Sequence, residues 1–258
     1  MNHVLVTRDN GVATLRLNRP DALNALTNAM LEELGAALRS ADRDPSVRSV
    51  VLAANGEKAF CSGIDLGERS ALNAEQKGEQ SRRVVDLVTG LRRSPKPVFA
   101  AIGGWCLGAG LELALAADVR IAADDARFGF PEMTLGAYPG GGGAVLLPRL
   151  IGRTAALEWL LSARRISADE ALRMGLVSRV APRAELESVV AKAAASVAGL
   201  APLAVAALKK SIDAGMDLPL DEALAVDQSL RRPLDATNDY QEGLRAFKEK
   251  RAPVFSGT

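Results

Sequence analysis

The chain has 258 residues, 48% hydrophobic and 24% charged, a balance that fits a folded globular protein and leaves no case for disorder. Lys and Arg number 32 against 31 Asp and Glu, so no basic excess points to a nucleic-acid partner. The single histidine, His3, lies in a start expected to fray, which sets aside Ser-His-Asp triads, Cys-His pairs and histidine-bearing zinc sites.

Met1 to Gly11 carries His3, Arg8 and Asp9 and lacks the apolar run of a secretion signal. Within it and beyond, Val4–Thr7 and Val12–Leu17 are β-branched-rich runs separated by Asp9-Asn10-Gly11, which predicts a hairpin. Thr27 is placed to cap a helix whose Met30, Leu31, Leu34 and Leu38 recur at helical spacing. Val47–Ala54 reads as a buried strand, and the charged stretch Gly67–Lys77 as a surface segment leading into a helix with Val84, Leu87, Val88 and Leu91. Pro97–Ile102 is a further strand ended by Gly103-Gly104, followed by a helix from about Ala109 and a strand over Val119–Ala122. The repeated strand-then-helix order predicts an α/β fold.

From about Thr154 helical patterns dominate: Ala155–Leu161, Ala168–Met174, Arg183–Val197, Pro202–Ala214, Leu220–Leu230 and Asp235–Lys250, with one strand at Leu176–Val180. Residues from Ala201 onward read as a helical appendage that packs on the core or on a neighbouring subunit. The best membrane candidate, Cys106–Ala117, is shorter than the ~20 residues a spanning helix needs and contains Glu112. Two cysteines cannot form a disulfide framework. A soluble, cytoplasmic protein with free thiols and no membrane partner is therefore expected.

Two glycine-containing turns follow buried strands: Phe60-Cys61-Ser62-Gly63-Ile64-Asp65-Leu66, and Gly103-Gly104-Trp105-Cys106-Leu107-Gly108-Ala109-Gly110-Leu111-Glu112, which runs into a helix. Glycine opens backbone angles closed to other residues, and first-turn N–H groups lack internal partners. Two such donors from two loops suit a developing oxyanion, although tight turns alone would also explain the glycines. Neither turn fits GxGxxG, and Gly140–Gly143 is not followed by Lys and Ser/Thr, so no nucleotide fingerprint is present. Glu112 has apolar neighbours on every side and Glu132 follows Phe128-Gly129-Phe130-Pro131 in an apolar loop. Two carboxylates in one apolar pocket would have raised, coupled pKa values, one acting as acid and the other as base, but spacing alone does not bring them together. Cys61 and Cys106, Trp105 and Trp159 read as packing residues, and Asp65 as a local cap or a support for its turn.

Asn18-Arg19-Pro20-Asp21-Ala22-Leu23-Asn24-Ala25-Leu26, Phe60–Leu66, Lys96–Ala117, Phe128–Gly143 and Ala168–Val180 together resemble the enoyl-CoA hydratase/isomerase (crotonase) family in content, order and separation. The resemblance implies an α/β spiral of ββα units over residues 1–200 and a helical trimerisation region over 201–258. It also implies a homotrimer or a dimer of trimers, and an acyl-CoA thioester substrate handled without metal or redox cofactor. Position by position, it makes the backbone N–H groups of Ile64 and Ala109 the oxyanion donors and Glu112 and Glu132 the catalytic carboxylates. It puts Ala22, Leu23, Ser62 and Ile64 beside CoA, and makes Gly63, Asp65, Leu66, Gly108, Phe130, Pro139 and Gly140 candidate substrate contacts. Arg19, Lys248, Lys250 and Arg251 become candidates for phosphate contacts, with a solvated basic helix end as the alternative for the C-terminal three.

The chain departs from that pattern at Asp21 and Gly67, where basic residues are frequent, at Phe130, often Gln, and at Tyr138-Pro139-Gly140-Gly141-Gly142-Gly143, where aliphatic-Pro-Gly-Ala-Gly-Gly is commoner. Phe130 and Tyr138 are expected to make the acyl pocket more apolar. The activity expected is hydration of a 2-enoyl-CoA. The alternatives are a double-bond isomerase working through Glu132, another acyl-CoA lyase or hydrolase using the same oxyanion site, and a non-catalytic acyl-CoA-binding protein.

Overall fold

The computed structural model describes residues 2–258. Asn10 and Gly11 take left-handed angles (φ 47° and 79°), which lets a two-residue turn join β1 (Val4–Asp9) to β2 (Val12–Leu17) in antiparallel register, Asp9 opposite Val12. The expected fraying at His3 does not occur. Its Nδ1 lies 2.8 Å from Glu33 Oε1, and Glu33 Oε2 accepts the N–H groups of His3 and Val4. Glu33 belongs to α1 (Asn28–Arg43), capped by the Thr27 hydroxyl, which accepts the Met30 N–H.

The chain then winds as a spiral. Each turn lays one strand in a large sheet, bends at a corner, and lays a short strand in a small sheet before a helix. The first turn is β3 (Ser49–Ala54), β4 (Ala59–Cys61), α2 (Leu66–Ala71) and α3 (Ala74–Arg93). The second is β5 (Val98–Ile102), β6 (Trp105–Leu107) and α4 (Ala109–Ala116). The third is β7 (Val119–Ala123), β8 (Arg127–Gly129), a 3-10 turn over Pro131–Leu135 and α5 (Gly143–Ile151). α6 (Arg153–Ser162), β9 (Ile166–Ser167), α7 (Ala168–Arg173), β10 (Arg179–Ala181) and α8 (Leu186–Ala198) complete the core. The large sheet runs β1-β2-β3-β5-β7-β10, parallel except for the first hairpin, and the small one β4-β6-β8-β9.

Several local expectations change. The stretch 67–77 is charged and largely exposed but helical through most of its length, because Asp65 caps α2 and Asn73 with Gln76 forms a capping box on α3. The C-terminal strand is Arg179–Ala181; Leu176 and Val177 instead bury their side chains in the core. Trp159 is fully buried, but Trp105 is 37% exposed, since alternation along β6 turns Cys106 inward and Trp105 out beneath the Arg165 guanidinium.

Alternation also divides the core. Val50 and Leu52 of β3 face the main cluster shared with α1, α3 and α4, while Val51 and Ala53, with Phe99, Ala101 and Ile121, face Leu186, Val190 and Ala194 of α8. At the corners the Arg183 guanidinium packs against Gly103 and donates to the carbonyls of Gly56 and Glu57, tying the first two turns of the spiral at one edge.

α9 (Pro202–Gly215), α10 (Leu220–Arg231) and α11 (Asn238–Glu249) follow, and no residue of α9 or α10 is buried. Ion pairs link this part to the core: Lys209 Nζ to Asp118 Oδ2 at 2.6 Å, and Arg92 to Asp213. Among the described residues no single helix is long and apolar enough to cross a membrane.

Arg120 holds the far end of α4. Its buried guanidinium donates to Ala117 O (2.5 Å) and Leu176 O (2.6 Å). Arg120→Met leaves those carbonyls unpaired in the core and is predicted to lower unfolding free energy by about 2–3 kcal/mol. A lower urea midpoint at fixed protein concentration is the check; an unchanged midpoint would show that water replaces the guanidinium.

Candidate active site

α4 is apolar all round, and all eight of its residues are buried. A helix of this kind fixes its position by packing, and it carries one charge, Glu112, 2% exposed. Gly110 lets α4 approach β4 closely, since a Cβ there would stand 2.5 Å from Cys61 Cβ. The Glu112 carboxylate accepts the Gly143 N–H at 2.8 Å, with the Gly141 N–H as a second donor. Burial raises the Glu112 pKa, and these two backbone donors pull it back.

Glu132 enters from the 3-10 turn after β8. Its Oε1 lies over Gly108, where a Cβ would be 2.6 Å away, and its Oε2 is buried without a protein partner. Gly108 has φ 51°. Glu132 is pushed up to about 7, by burial first, with its own N–H opposing and the negative charge of Glu112 adding. The two carboxylates are therefore close enough for the charge of Glu112 to raise Glu132, and among the described residues no cationic side chain contributes to either shift.

The two glycine turns also meet. β4 and β6 pair with Cys61 opposite Cys106, which sets Gly63-Ile64 beside Gly108-Ala109. A Cβ on Gly63 (φ 102°) would stand 3.3 Å from Leu107 O and 3.5 Å from Ala109 N. Ile64 is fixed on its other side by Leu26, which donates to Gly63 O at 2.8 Å and accepts from Asp65 N–H at 3.0 Å. Among the described residues, neither the Ile64 nor the Ala109 N–H is given to a protein acceptor. Burial pushes the Cys61 thiol up to about 12 and raises Cys106, so both thiols stay protonated and pack.

The remaining candidates fall into three groups. Arg19 is an internal strut: it donates to Ala25 O at 2.6 Å and pairs with Asp65 Oδ2 at 3.0 Å, while Asp65 Oδ1 caps α2 through Glu68 N–H. Buried Asn24, not singled out from sequence, accepts Arg19 N–H and donates to Asn55 O and Ala59 O, fixing the segment with Ala22 and Leu23 beside Ser62, whose N–H donates to Leu23 O. Phe130 is fully buried, its ring 5.9 Å from that of Trp159 and beside Gly143; Pro139 is buried, whereas Gly140, Leu66 and Tyr138 are exposed. Lys248 and Lys250 lie exposed at the end of α11, and Arg251 is held by Glu242 and Glu249.

A family model described as enoyl-CoA hydratase/isomerase matches residues 7–258. A short-chain-enoyl-CoA hydratase of Clostridium acetobutylicum is 37% identical over 251 residues, 97% of this chain and 96% of the other. A 2,3-dehydroadipyl-CoA hydratase of Escherichia coli is 38% identical over 257 residues, 100% of each chain. The crystal structure of an enoyl-CoA hydratase from Bacillus anthracis superimposes with a TM-score of 0.97 at 40% identity, covering 99% of this chain and 100% of that one.

A carboxyl whose folded pKa is raised contributes stability below its unfolded value, near 4.5, and loses it as pH rises through the folded value, about 7 for Glu132. Glu132→Gln removes that loss. The variant is predicted to melt about 2–6 °C above the parent at pH 8, with little difference at pH 4. An equal difference at both pH values would place the effect elsewhere than in ionisation.

Proposed function

The chain belongs to the enoyl-CoA hydratase/isomerase family, and on that premise we propose that it is an enoyl-CoA hydratase, adding water reversibly across the 2,3 double bond of a 2-enoyl-CoA thioester. The observation that carries the reading is the buried Glu112 carboxylate and the half-buried Glu132, with unequal polar support, beside two N–H groups that have no protein acceptor among the described residues. In hydration the thioester oxygen accepts from Ile64 N–H and Ala109 N–H, so charge moves onto it as the double bond is attacked. Glu112, kept ionisable by its backbone donors, takes a proton from water as oxygen bonds to C3. Glu132, protonated to a large extent near neutral pH, gives its proton to C2 as the enolate electrons return. Dehydration reverses each transfer. As written, the reaction uses only these groups, with no metal or redox cofactor.

The segment around Ala22, Leu23, Ser62 and Ile64 is assigned to CoA, with Gly63, Leu66, Gly108, Phe130, Pro139 and Gly140 around the thioester and acyl chain. Arg19 and Asp65 hold that segment in shape. Lys248 and Lys250 are assigned to CoA phosphates across a subunit boundary. We also assign a homotrimer, single or paired, built through α9–α11. This is supported by apolar side chains that the single chain leaves uncovered there, among them Leu208 (60% exposed), Leu220 (73%) and Phe247 (84%). A cytoplasmic setting fits the two facing free thiols.

The test is loss of the conjugated thioester absorbance with crotonyl-CoA and longer or cyclic 2-enoyl-CoAs. Glu112→Gln and Glu132→Gln are each predicted to lower kcat by about 10²–10⁴. The pH profile of kcat/KM should fall above a midpoint near 7 as Glu132 deprotonates, and Glu132→Gln should lack that limb. Isomerisation of a 3-enoyl-CoA that survives Glu112→Gln, with no hydration of any 2-enoyl-CoA, would move the enzyme to the isomerase branch.

A further inference from the structure

Val84 stands outside every motif of the site, on α3, 2% exposed and aligned with Leu87, Val88 and Leu91 on the buried face. Across the backbone of Gly141 it meets Glu112. A Cβ built on Gly141 would lie 2.5 Å from Val84 Cγ1, 2.9 Å from Glu112 Cδ, and closer still to Glu112 Oε2. Unlike Gly136 and Gly142 (φ 70° and 127°), Gly141 does not have a left-handed φ. Its backbone conformation would accept alanine, so only the space excludes it.

We propose that Val84 is a positioning residue for Glu112, size-matched to Gly141, so that the volume shared by positions 84 and 141 sets where the carboxylate lies. A β-branched side chain on a helix has one strongly preferred rotamer and cannot swing aside. A methyl at 141 therefore displaces the partner that can move, the Glu112 carboxylate, and draws it off the Gly143 N–H. Shortening Val84 reopens the space. Gly143 is a different case: the atoms nearest a methyl there would be Phe130 Cε1 and Pro139 Cβ at 2.9 Å each and Glu112 Oε1 at 3.1 Å, none of them from Val84.

This inference rests on the hydratase reading for its kinetic test and not for its second one. In kinetics, Gly141→Ala is expected to lower kcat at least ~30-fold with KM within about threefold, since misplacement of a reacting group by about 1 Å costs on the order of 10² in rate. Val84→Ala alone should cost less than about fivefold, and Val84→Ala with Gly141→Ala should recover at least ~10-fold over Gly141→Ala, the coupling of two residues that share one space. Val84→Ala should not rescue Gly143→Ala. The second test needs no turnover: isotope-edited infrared titration of the Glu112 carboxyl should shift upward in Gly141→Ala, as backbone donors are lost, and return in the double variant.

If the parent hydrates no enoyl-CoA while the titration shifts and returns, the hydratase reading fails and the pairing stands. If the double variant stays as slow as Gly141→Ala, or its titration does not return, the pairing is overturned. Should Gly141→Ala fail to fold, Val84→Ile presses on the same carboxylate from the helix side. It is expected to give the same kcat loss and titration shift; no change in either would overturn the proposal.

Discussion

The structure depends on keeping two neighbouring carboxylates out of water with no counter-cation among the described residues. Removing a carboxylate from water is costly, and a cation would offset that cost but would also hold both groups ionised. The chain uses backbone N–H groups instead. Glu112 accepts from Gly143 and Gly141, and Glu132 lies against the bare backbone of Gly108. This solution needs main chain at van der Waals distance from side-chain oxygens, and so places glycines around both carboxylates. It also needs a rigid mount, supplied by an apolar α4 packed on Cys61 at one end and held by Arg120 at the other.

The spiral explains why residues far apart in sequence converge. Each turn ends a short strand of the small sheet at the same edge. β4 delivers Gly63-Ile64, β6 delivers Gly108-Ala109, and β8 delivers Glu132. Register within the small sheet then becomes register of the site. That register is fixed at the corners: Trp105 N–H donates to Lys58 O at 3.0 Å, Arg127 N–H to Gly104 O at 2.9 Å, and Arg183 bridges the first and second corners. Gly104, at φ 63°, faces the carbonyl of Lys58 so closely that no side chain fits between them.

How much of this could be read from residues alone varied with the range of the signal. The hairpin at Asn10-Gly11, the cap at Thr27 and the buried helix around Glu112 are local, and propensity and periodicity report local order. The short strands of the small sheet span two or three residues, too few to show alternation, and their flanking glycines read as loop. α5 begins at Gly143, where four glycines conceal a helix start that tertiary packing supplies. The family resemblance located the glutamates and the glycine turns, but the meeting of Glu112 with Glu132, and of Val84 with Gly141, exists only in three dimensions. Arg19 was legible as a charge and illegible as a strut, because its partner, Asp65, lies 46 positions away.

The unequal support of the two carboxylates assigns their roles in the proposed reaction. Glu112 is the more deeply buried, and burial alone would make it the weaker acid. Two backbone donors oppose that effect by stabilising its anion, whereas Glu132 has only its own N–H and feels the negative charge of Glu112 besides. In the proposed reaction Glu112 is therefore the base, and its charge helps to hold the proton on Glu132. A base beside an acid at neutral pH is what addition of water across a polarised double bond requires. In the proposed reaction the chain obtains it from one residue type by distributing N–H groups unevenly, which gives the backbone around Gly141 and Gly143 a part in that proposal beside the glutamates.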